Sequence, residues 1–181
     1  MFKKSPTIVK REVVYNGPAF SVYKYTIQLD DKIVQRDIIE RAHGVVVVPV
    51  DVDHNVLLIR EYCAGSNSFI LSLPGGSMED GDASPAQQAM RELREETGYT
   101  AREMIKLHYA FSHPSTSNRK SYTFLGYDLK WDPLPKTDEI IEVVKLPLEE
   151  AIIRVYRDFQ SDVSTIGNLL MASNKLKELG L

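Results

Sequence analysis

The sequence predicts an α+β protein, because strand patterns fill most of its first half and helical patterns appear at three later positions. Alternating apolar and polar side chains in Phe20–Leu29 and the β-branched run in Gly44–Val50 indicate strands. An apolar stripe at helical spacing begins after Ser84. Two further helices are expected at about 148–158 and 163–179, where they close the chain.

Length, composition and charge narrow the class of protein. The chain has 181 residues, which is long enough to form one core without a disulfide or a metal. Its formal net charge of −3 disfavours a protein that covers nucleic acid. The single cysteine, Cys63, excludes an internal disulfide framework and fits a reducing compartment. No apolar run approaches the roughly 20 residues that span a bilayer. We therefore expect a cytoplasmic protein with neither nucleic acid nor a membrane as partner.

Two pairs of strands are predicted before residue 73. Phe20–Leu29 and Ile33–Arg41 are expected to form a hairpin around a polar turn. Gly44–Val50 is expected to pair with Val56–Tyr62 in the same way. The consecutive valines of the first of these strands indicate burial on both faces of a sheet.

A short strand, a glycine-containing loop and a capped helix come next. The strand is predicted at Leu71–Leu73, and Ser84 has the features of a helix N-cap, with Pro85 at the first helical position and Gln87 three residues after the cap. Gly98 is placed to end the helix. The buried stripe of this helix is expected to consist of Ala86, Ala89, Met90 and Leu93.

Two or three strands are predicted between this helix and the two that close the chain. Their apolar patterns place them at about Ile105–Phe111, Tyr122–Lys130 and Ile141–Leu146. No internal repeat and no Gly/Ser-rich linker interrupts this order.

Three carboxylates share one face of the helix that follows Ser84. Glu92, Glu95 and Glu96 have i, i+3 and i+4 spacing, at which like charges cost about 0.2–0.5 kcal/mol per pair. Such a cluster makes most sense with a cation, and hard ions such as Mg²⁺ take oxygen ligands. The alternative is a solvated helix face on which Arg91 pairs with Glu95.

The same stretch resembles the signature of the Nudix hydrolase family, Gly-x5-Glu-x7-Arg-Glu-apolar-x-Glu-Glu-x-Gly-apolar. Arg91–Tyr99 matches every fixed position of the second half, and it follows the sequence Leu-Pro-Gly-Gly that ends at Gly76. The first half departs from the pattern, because Asp82 stands where the family has Glu and eight residues separate it from Arg91. The resemblance implies that Asp82 and Arg91 form a shortened version of the family's bracing ion pair.

The resemblance also implies the fold and the assembly. It extends from about Val13 to Ile153 and is strongest to the ADP-ribose pyrophosphatase branch. An α/β/α sandwich with a mixed central sheet is therefore expected for residues 43–181, the Nudix hydrolase domain. Residues 1–42 are expected to be an N-terminal antiparallel strand extension used in dimerisation and at the substrate's edge. We accordingly expect a homodimer.

The family resemblance assigns metal ligands on this helix. It implies that Glu92 and Glu96 are the principal ligands of Mg²⁺, with Mn²⁺ as an alternative cation. Glu95 is implied as the next ligand in importance. The carbonyl oxygen of Gly75 is implied as a further ligand. Arg91 and Glu95 belong to the implied catalytic set as well.

A later acidic segment is implied to supply the general base. Glu139 is preferred for that role, with Glu142 and Asp138 as rivals. A solvated acidic loop that carries none of this chemistry remains an alternative for each of them.

The implied reaction is Mg²⁺-dependent hydrolysis of the pyrophosphate bond in nucleoside diphosphate sugars, with ADP-ribose as the preferred substrate. Arg60 and Arg41 are candidates for phosphate contact, although each could equally be a surface arginine. Cys63 departs from the branch, which often has Arg at that position.

Two other functions remain open at this point. One is hydrolysis of other ADP compounds, dinucleotides or GDP-sugars, since the residues that select a nucleoside lie in variable loops. The other is a non-catalytic module that binds ADP-ribose for regulation, although such a module need not keep all three carboxylates.

Overall fold

The computed structural model describes residues 5–78, 84–135, 142–157 and 160–181, and within them it contains ten strands and three helices. None of these helices is both long and apolar enough to cross a membrane. The strands are β1 Thr7–Asn16, β2 Ser21–Leu29, β3 Lys32–Glu40, β4 Gly44–Val50, β5 Asn55–Cys63, β6 Ser68–Ser72, β7 Gly75–Ser77, β8 Tyr99–Phe111, β9 Lys120–Trp131 and β10 Glu142–Pro147. The helices are α1 Pro85–Thr97, α2 Leu148–Arg157 and α3 Val163–Leu179.

The described chain divides into two units. The first runs up to His43 and includes Ala110–Ser121, and the second comprises Gly44–Tyr109 and Tyr122–Leu181. The role of residues 1–42 in dimerisation stays a prediction.

The first unit is built on an antiparallel sheet in the order β1-β2-β3. The predicted hairpin corresponds to β2 and β3, while β1 is an additional strand that the sequence analysis did not assign. Within this unit, the segment 110–121 is held to the end of β3, because the Ile39 amide donates to the Thr116 carbonyl at 2.8 Å.

The second unit is organised around β4, which lies at the centre of a sheet ordered β10-β5-β4-β9-β8. Val45 and Val47 pack in a cluster with residues of α1, whereas Val48 and Val50 pack in a second cluster with residues of α2 and α3. Helices therefore cover both faces of this sheet. The α+β class and the burial of β4 on both faces are confirmed, and the sandwich is the arrangement that these valines require.

Strand β7 is a second element that the sequence analysis did not assign. Pro74 separates it from β6, and its three residues pair antiparallel with β4, with Val45 opposite Gly76 and Val46 opposite Gly75. The predicted strand at Leu71–Leu73 corresponds to the end of β6. Helix α1 contacts both β4 and β7.

The ends of α1 are fixed as its sequence predicts. The Ser84 hydroxyl accepts from the Gln87 amide at 3.2 Å, and Gly98 adopts a left-handed conformation with φ of 75°. Ala89 and Leu93 are fully buried. The Arg94 guanidinium donates to the Asp132 carbonyl at 2.8 Å, which ties the last turn to the residue after β9.

Replacing Gly98 by alanine is expected to destabilise the protein more than replacing Gly180. Both glycines end helices with positive φ, 75° and 72°, where a Cβ costs about 1–2 kcal/mol. A Cβ at Gly98 would also lie 2.7 Å from the Trp131 ring, which packs edge-on against Tyr99, whereas nothing lies within 4 Å at Gly180. Urea unfolding should show an extra loss of about 1 kcal/mol for Gly98→Ala. Equal losses would contradict the close packing of Trp131.

Candidate functional site

The packing of α1 turns one line of its side chains toward β7. Ala89 and Leu93 anchor the helix in the core, so Gln88, Glu92 and Glu96, each four residues apart, lie along its neighbouring edge. All three of these residues are connected to β7: Gln88 through Ser77, Glu92 through Gly76 and Glu96 through Gly75. The two glutamates are half-buried, and Gln88 is fully buried.

Each of the two carboxylates accepts a hydrogen bond in this arrangement. The Gly75 amide donates to Glu96 Oε2 at 2.8 Å, and the Gln88 side-chain amide donates to Glu92 Oε1 at 2.7 Å. A hydrogen bond to a charged group contributes about 1.5–3 kcal/mol, against about 0.2–0.5 kcal/mol for i, i+4 repulsion. The hydrogen bonds are therefore the larger effect, and the two negative charges can remain side by side.

The two glycines of β7 provide the space for this contact. A Cβ on Gly76 would occupy the position of the Glu92 carboxylate, and a Cβ on Gly75 would overlap the carbonyl oxygen of Val45. Only a strand without side chains at these two positions lets the carboxylate and the backbone of β4 approach so closely. The Gly-Gly pair therefore shapes the site and does not merely form a turn.

Glu95 has a different partner from the other two carboxylates. Its oxygens lie 3.3 Å from Arg91 Nη1, which is the i, i+4 helix-face pair that the sequence left open as an alternative. The structure thus brings Glu92 and Glu96 to the same strand, while Glu95 is joined to Arg91.

The donor set around β7 suits a hard divalent cation. Glu92 and Glu96 offer carboxylate oxygens and β7 offers backbone carbonyl oxygens, which are the ligands that such ions prefer. The Glu92 carboxylate can lie over Gly76 only because glycine has no Cβ there. In the four described ranges, no group of three or more His, Cys, Asp or Glu side chains is arranged to hold a metal ion. In the described part of the site, two carboxylates of α1 therefore lie against β7.

Three predicted residues lie outside the described residues. They are Asp82, the implied partner of Arg91, and Asp138 and Glu139 of the acidic segment. The remaining candidate base, Glu142, begins β10 and lies 3.4 Å from Arg60 Nη1. Both side chains of this pair are about half-exposed, so it stabilises the fold little.

The other arginine candidate, Arg41, belongs to the first unit. Its backbone amide donates to Asn118 Oδ1 at 3.1 Å, next to Arg119 in the same unit. Burial, followed by repulsion from Arg41, lowers the pKa of the Arg119 guanidinium. Arg41 and Arg119 therefore place two positive charges close together near Asn118. Such a group of charges is compatible with the phosphate contact predicted for Arg41.

Two members of the site were not identified from the sequence. Gln88 contacts Glu92 and Arg91 of the motif, and the Ser77 carbonyl accepts from Gln88, but the motif does not specify position 88. The signal that could have found Gln88 is its spacing of four residues from Glu92 together with its place beside the buried Ala89.

Comparison with known proteins identifies a family match and similar proteins. The model of the NUDIX domain matches residues 40–165. The ADP-ribose pyrophosphatase of Bacillus subtilis (strain 168) is 26% identical over 148 residues, which cover 80% of each chain. The ADP compounds hydrolase NudE of Escherichia coli (strain K12) is 30% identical over 151 residues, which cover 80% of this chain and 79% of NudE. A crystal structure of an ADP compounds hydrolase superposes with a TM-score of 0.83 and 27% identity over 98% of this chain and 97% of that one.

Gly76→Ala is expected to weaken divalent-cation binding while the fold survives. The added Cβ meets the end of the flexible Glu92 side chain, which must move away from its present position. We expect the dissociation constant for Mn²⁺, measured by electron paramagnetic resonance, to rise about tenfold.

Gly75→Ala, by contrast, is expected to affect the stability of the fold. Its Cβ would overlap backbone atoms of β4, so it should lower the free energy of unfolding by about 1–3 kcal/mol. Wild-type affinity for Mn²⁺ in Gly76→Ala would show that the position of Glu92 does not matter for binding.

Proposed function

Because the chain belongs to the NUDIX domain family, we propose that it hydrolyses the pyrophosphate bond of nucleoside diphosphate sugars. The products would be a nucleoside monophosphate and a sugar phosphate. The proposal is supported by the two α1 carboxylates that lie against adjacent glycines of β7, Glu96 at the Gly75 amide and Glu92 over Gly76. A purely structural helix face would have no need to concentrate negative charge there.

Glu92 and Glu96 would hold the divalent cation, with the Gly75 carbonyl oxygen as a further ligand. When bound, Mg²⁺ or Mn²⁺ neutralises charge on a diphosphate and lowers the pKa of a bound water toward neutrality. The Gly75 amide keeps the Glu96 carboxylate at the strand by donating to its Oε2 atom. Arg91, held by Glu95, adds positive charge next to Glu92.

Hydrolysis requires a base and a leaving group as well as the cation site. The oxygen of a water molecule forms a bond to one phosphorus, the bridging P–O bond breaks, and the bridging oxygen leaves with the other phosphate. A base takes the proton of the attacking water, and we propose Glu139 for this role, with Glu142 and Asp138 as rivals. Arg60 and Arg41 are proposed to contact the phosphates.

ADP-ribose is the first substrate to test. Two of the similar proteins carry names that refer to ADP-ribose or to ADP compounds, and both are matched over about four-fifths of this chain. Other ADP compounds are the second candidate, because the similar crystal structure, which covers 98% of the chain, is that of an ADP compounds hydrolase. A module that only binds ADP-ribose is disfavoured, since it would not need the carboxylate pair.

The test is a substrate panel with and without Mg²⁺. ADP-ribose, ADP-glucose, GDP-mannose, NADH, a diadenosine polyphosphate and dGTP are each incubated with the protein, and products are identified by chromatography. We expect AMP and ribose 5-phosphate from ADP-ribose with Mg²⁺ and nothing with EDTA. Absence of Mg²⁺-dependent product from every compound would refute the enzymatic function.

Glu96→Gln serves as the active-site control in this panel. Glutamine keeps an oxygen that can accept from the Gly75 amide, so the fold should survive, but it removes the negative charge. Turnover should fall at least about a hundredfold, because replacing a residue that only supports a metal ligand already costs about 10–100-fold. Full activity in this variant would mean that the metal site lies elsewhere.

A homodimer formed through the first unit is proposed as the working assembly, and the cytoplasm as its compartment. All ten residues of the edge strand β1 are exposed, including Ile8, Val9, Val13 and Val14. A long, exposed, apolar edge strand is a template for pairing with another chain. A second copy would cover this surface.

Light scattering at micromolar concentration tests the dimer. We expect a mass of about twice 20.5 kDa for the wild type. Val13→Lys, at a side chain that is 62% exposed in β1, should give the monomer mass without unfolding. Val52→Lys, equally exposed in the turn after β4, is the matched control and should leave the dimer intact. A wild-type mass near 20.5 kDa would contradict the proposal.

A further inference from the structure

Gln88 is a buried polar residue at the centre of the carboxylate site. Only 1% of its surface is exposed, although glutamine is usually a surface residue. The family signature leaves this position unspecified, so the resemblance gives it no role. Its side chain nevertheless contacts Arg91, Glu92 and the backbone of β7 at the same time.

The hydrogen bonds of Gln88 use both ends of its amide. Its Nε2 donates to the Ser77 carbonyl at 3.1 Å and to Glu92 Oε1 at 2.7 Å. Its Oε1 accepts from Arg91 Nε at 3.1 Å and from Arg91 Nη2 at 2.7 Å. Two donors and two acceptor positions are thus all engaged.

The chemistry of the neighbours fixes the orientation of this amide. A guanidinium can only donate, whereas a carbonyl and a carboxylate can only accept. Rotating the amide by 180° would set donor against donor at Arg91 and acceptor against acceptor at Glu92. Gln88 therefore has one satisfied orientation, in which it joins a cationic and an anionic residue to β7.

We propose that Gln88 is a positioning residue that orients the Glu92 carboxylate and the Arg91 guanidinium against β7 for divalent-cation binding. This inference rests on the proposed function for the identity of the bound cation. The Glu92 side chain is flexible, and the hydrogen bond from Gln88 Nε2 to Glu92 Oε1 holds its carboxylate in one direction. Arg91 is held from the other side by Glu95, so the amide lies between the two oppositely charged groups.

A merely structural Gln88 would behave differently from a positioning one. If it served only to satisfy the Ser77 carbonyl in the core, its loss would lower stability but leave the folded protein's metal affinity unchanged. If it positions Glu92, its loss weakens metal binding in protein that is fully folded. Outer residues that orient metal ligands typically change metal affinity or activity about 10–100-fold when they are replaced.

The test compares Gln88→Met with Gln87→Met. Methionine matches the length of glutamine and removes its hydrogen bonds. Gln87→Met makes the same chemical change on the same helix, but Gln87 is exposed and its side chain accepts a hydrogen bond from the Ser84 hydroxyl. Circular dichroism establishes folding, and Mn²⁺ binding without substrate is measured by electron paramagnetic resonance.

We expect folded Gln88→Met to bind Mn²⁺ about 10–100-fold more weakly than the wild type, and Gln87→Met to bind it equally well. An affinity within twofold of the wild type for Gln88→Met would overturn the proposal. If this variant does not fold, Gln88→Asn, which shortens the amide by one methylene, is measured with the same expectation and the same refuting result. Failure of both to fold would assign Gln88 to folding and overturn the positioning role.

The metal measurement separates this inference from the proposed reaction. Wild-type protein that binds Mn²⁺ but hydrolyses no pyrophosphate would refute the reaction and still allow the comparison of variants. An active wild type whose affinity for Mn²⁺ is unchanged by Gln88→Met would refute only the positioning role.

Discussion

The contact between helix α1 and the three-residue strand β7 is the constraint on which the site depends. The Gly75 amide binds the Glu96 carboxylate, and Gly76 leaves room for the Glu92 carboxylate. Pairing of β7 with the central strand β4 fixes β7, and burial of Leu93 fixes the helix. Two acidic side chains are therefore presented at one place by the core of the domain itself.

Charge in this protein is significant by its position more than by its total. A formal net charge of −3 argues against a nucleic-acid coat, yet it says nothing about a phosphate ligand delivered to bound metal. On α1 the three glutamates of the motif have two kinds of partner. Glu95 holds Arg91, and Glu92 and Glu96 face the strand, with Gln88 joining the two sets through its amide.

The sequence predicted what is local and missed what tertiary packing decides. Helix α1 was predicted from Ser84 to Gly98 because capping residues and the apolar stripe are properties of a short stretch. Strand β7 was missed because Gly-Gly-Ser has no apolar periodicity, and it becomes a strand only beside β4. Helical spacing placed three glutamates on one face and offered the Arg91–Glu95 pair as an alternative. It could not show that Glu92 and Glu96 lie against β7, since that strand is outside the helix.

Glu92 and Glu96 of α1, held against β7, are proposed to hold a divalent cation for attack on a pyrophosphate. Anomalous diffraction from crystals soaked in Mn²⁺ tests it most directly, because the signal locates manganese without assumptions about the ligands. We expect a peak within coordination distance of both carboxylates, beside Gly75. A manganese position held by other residues, with no peak near either carboxylate, would contradict it.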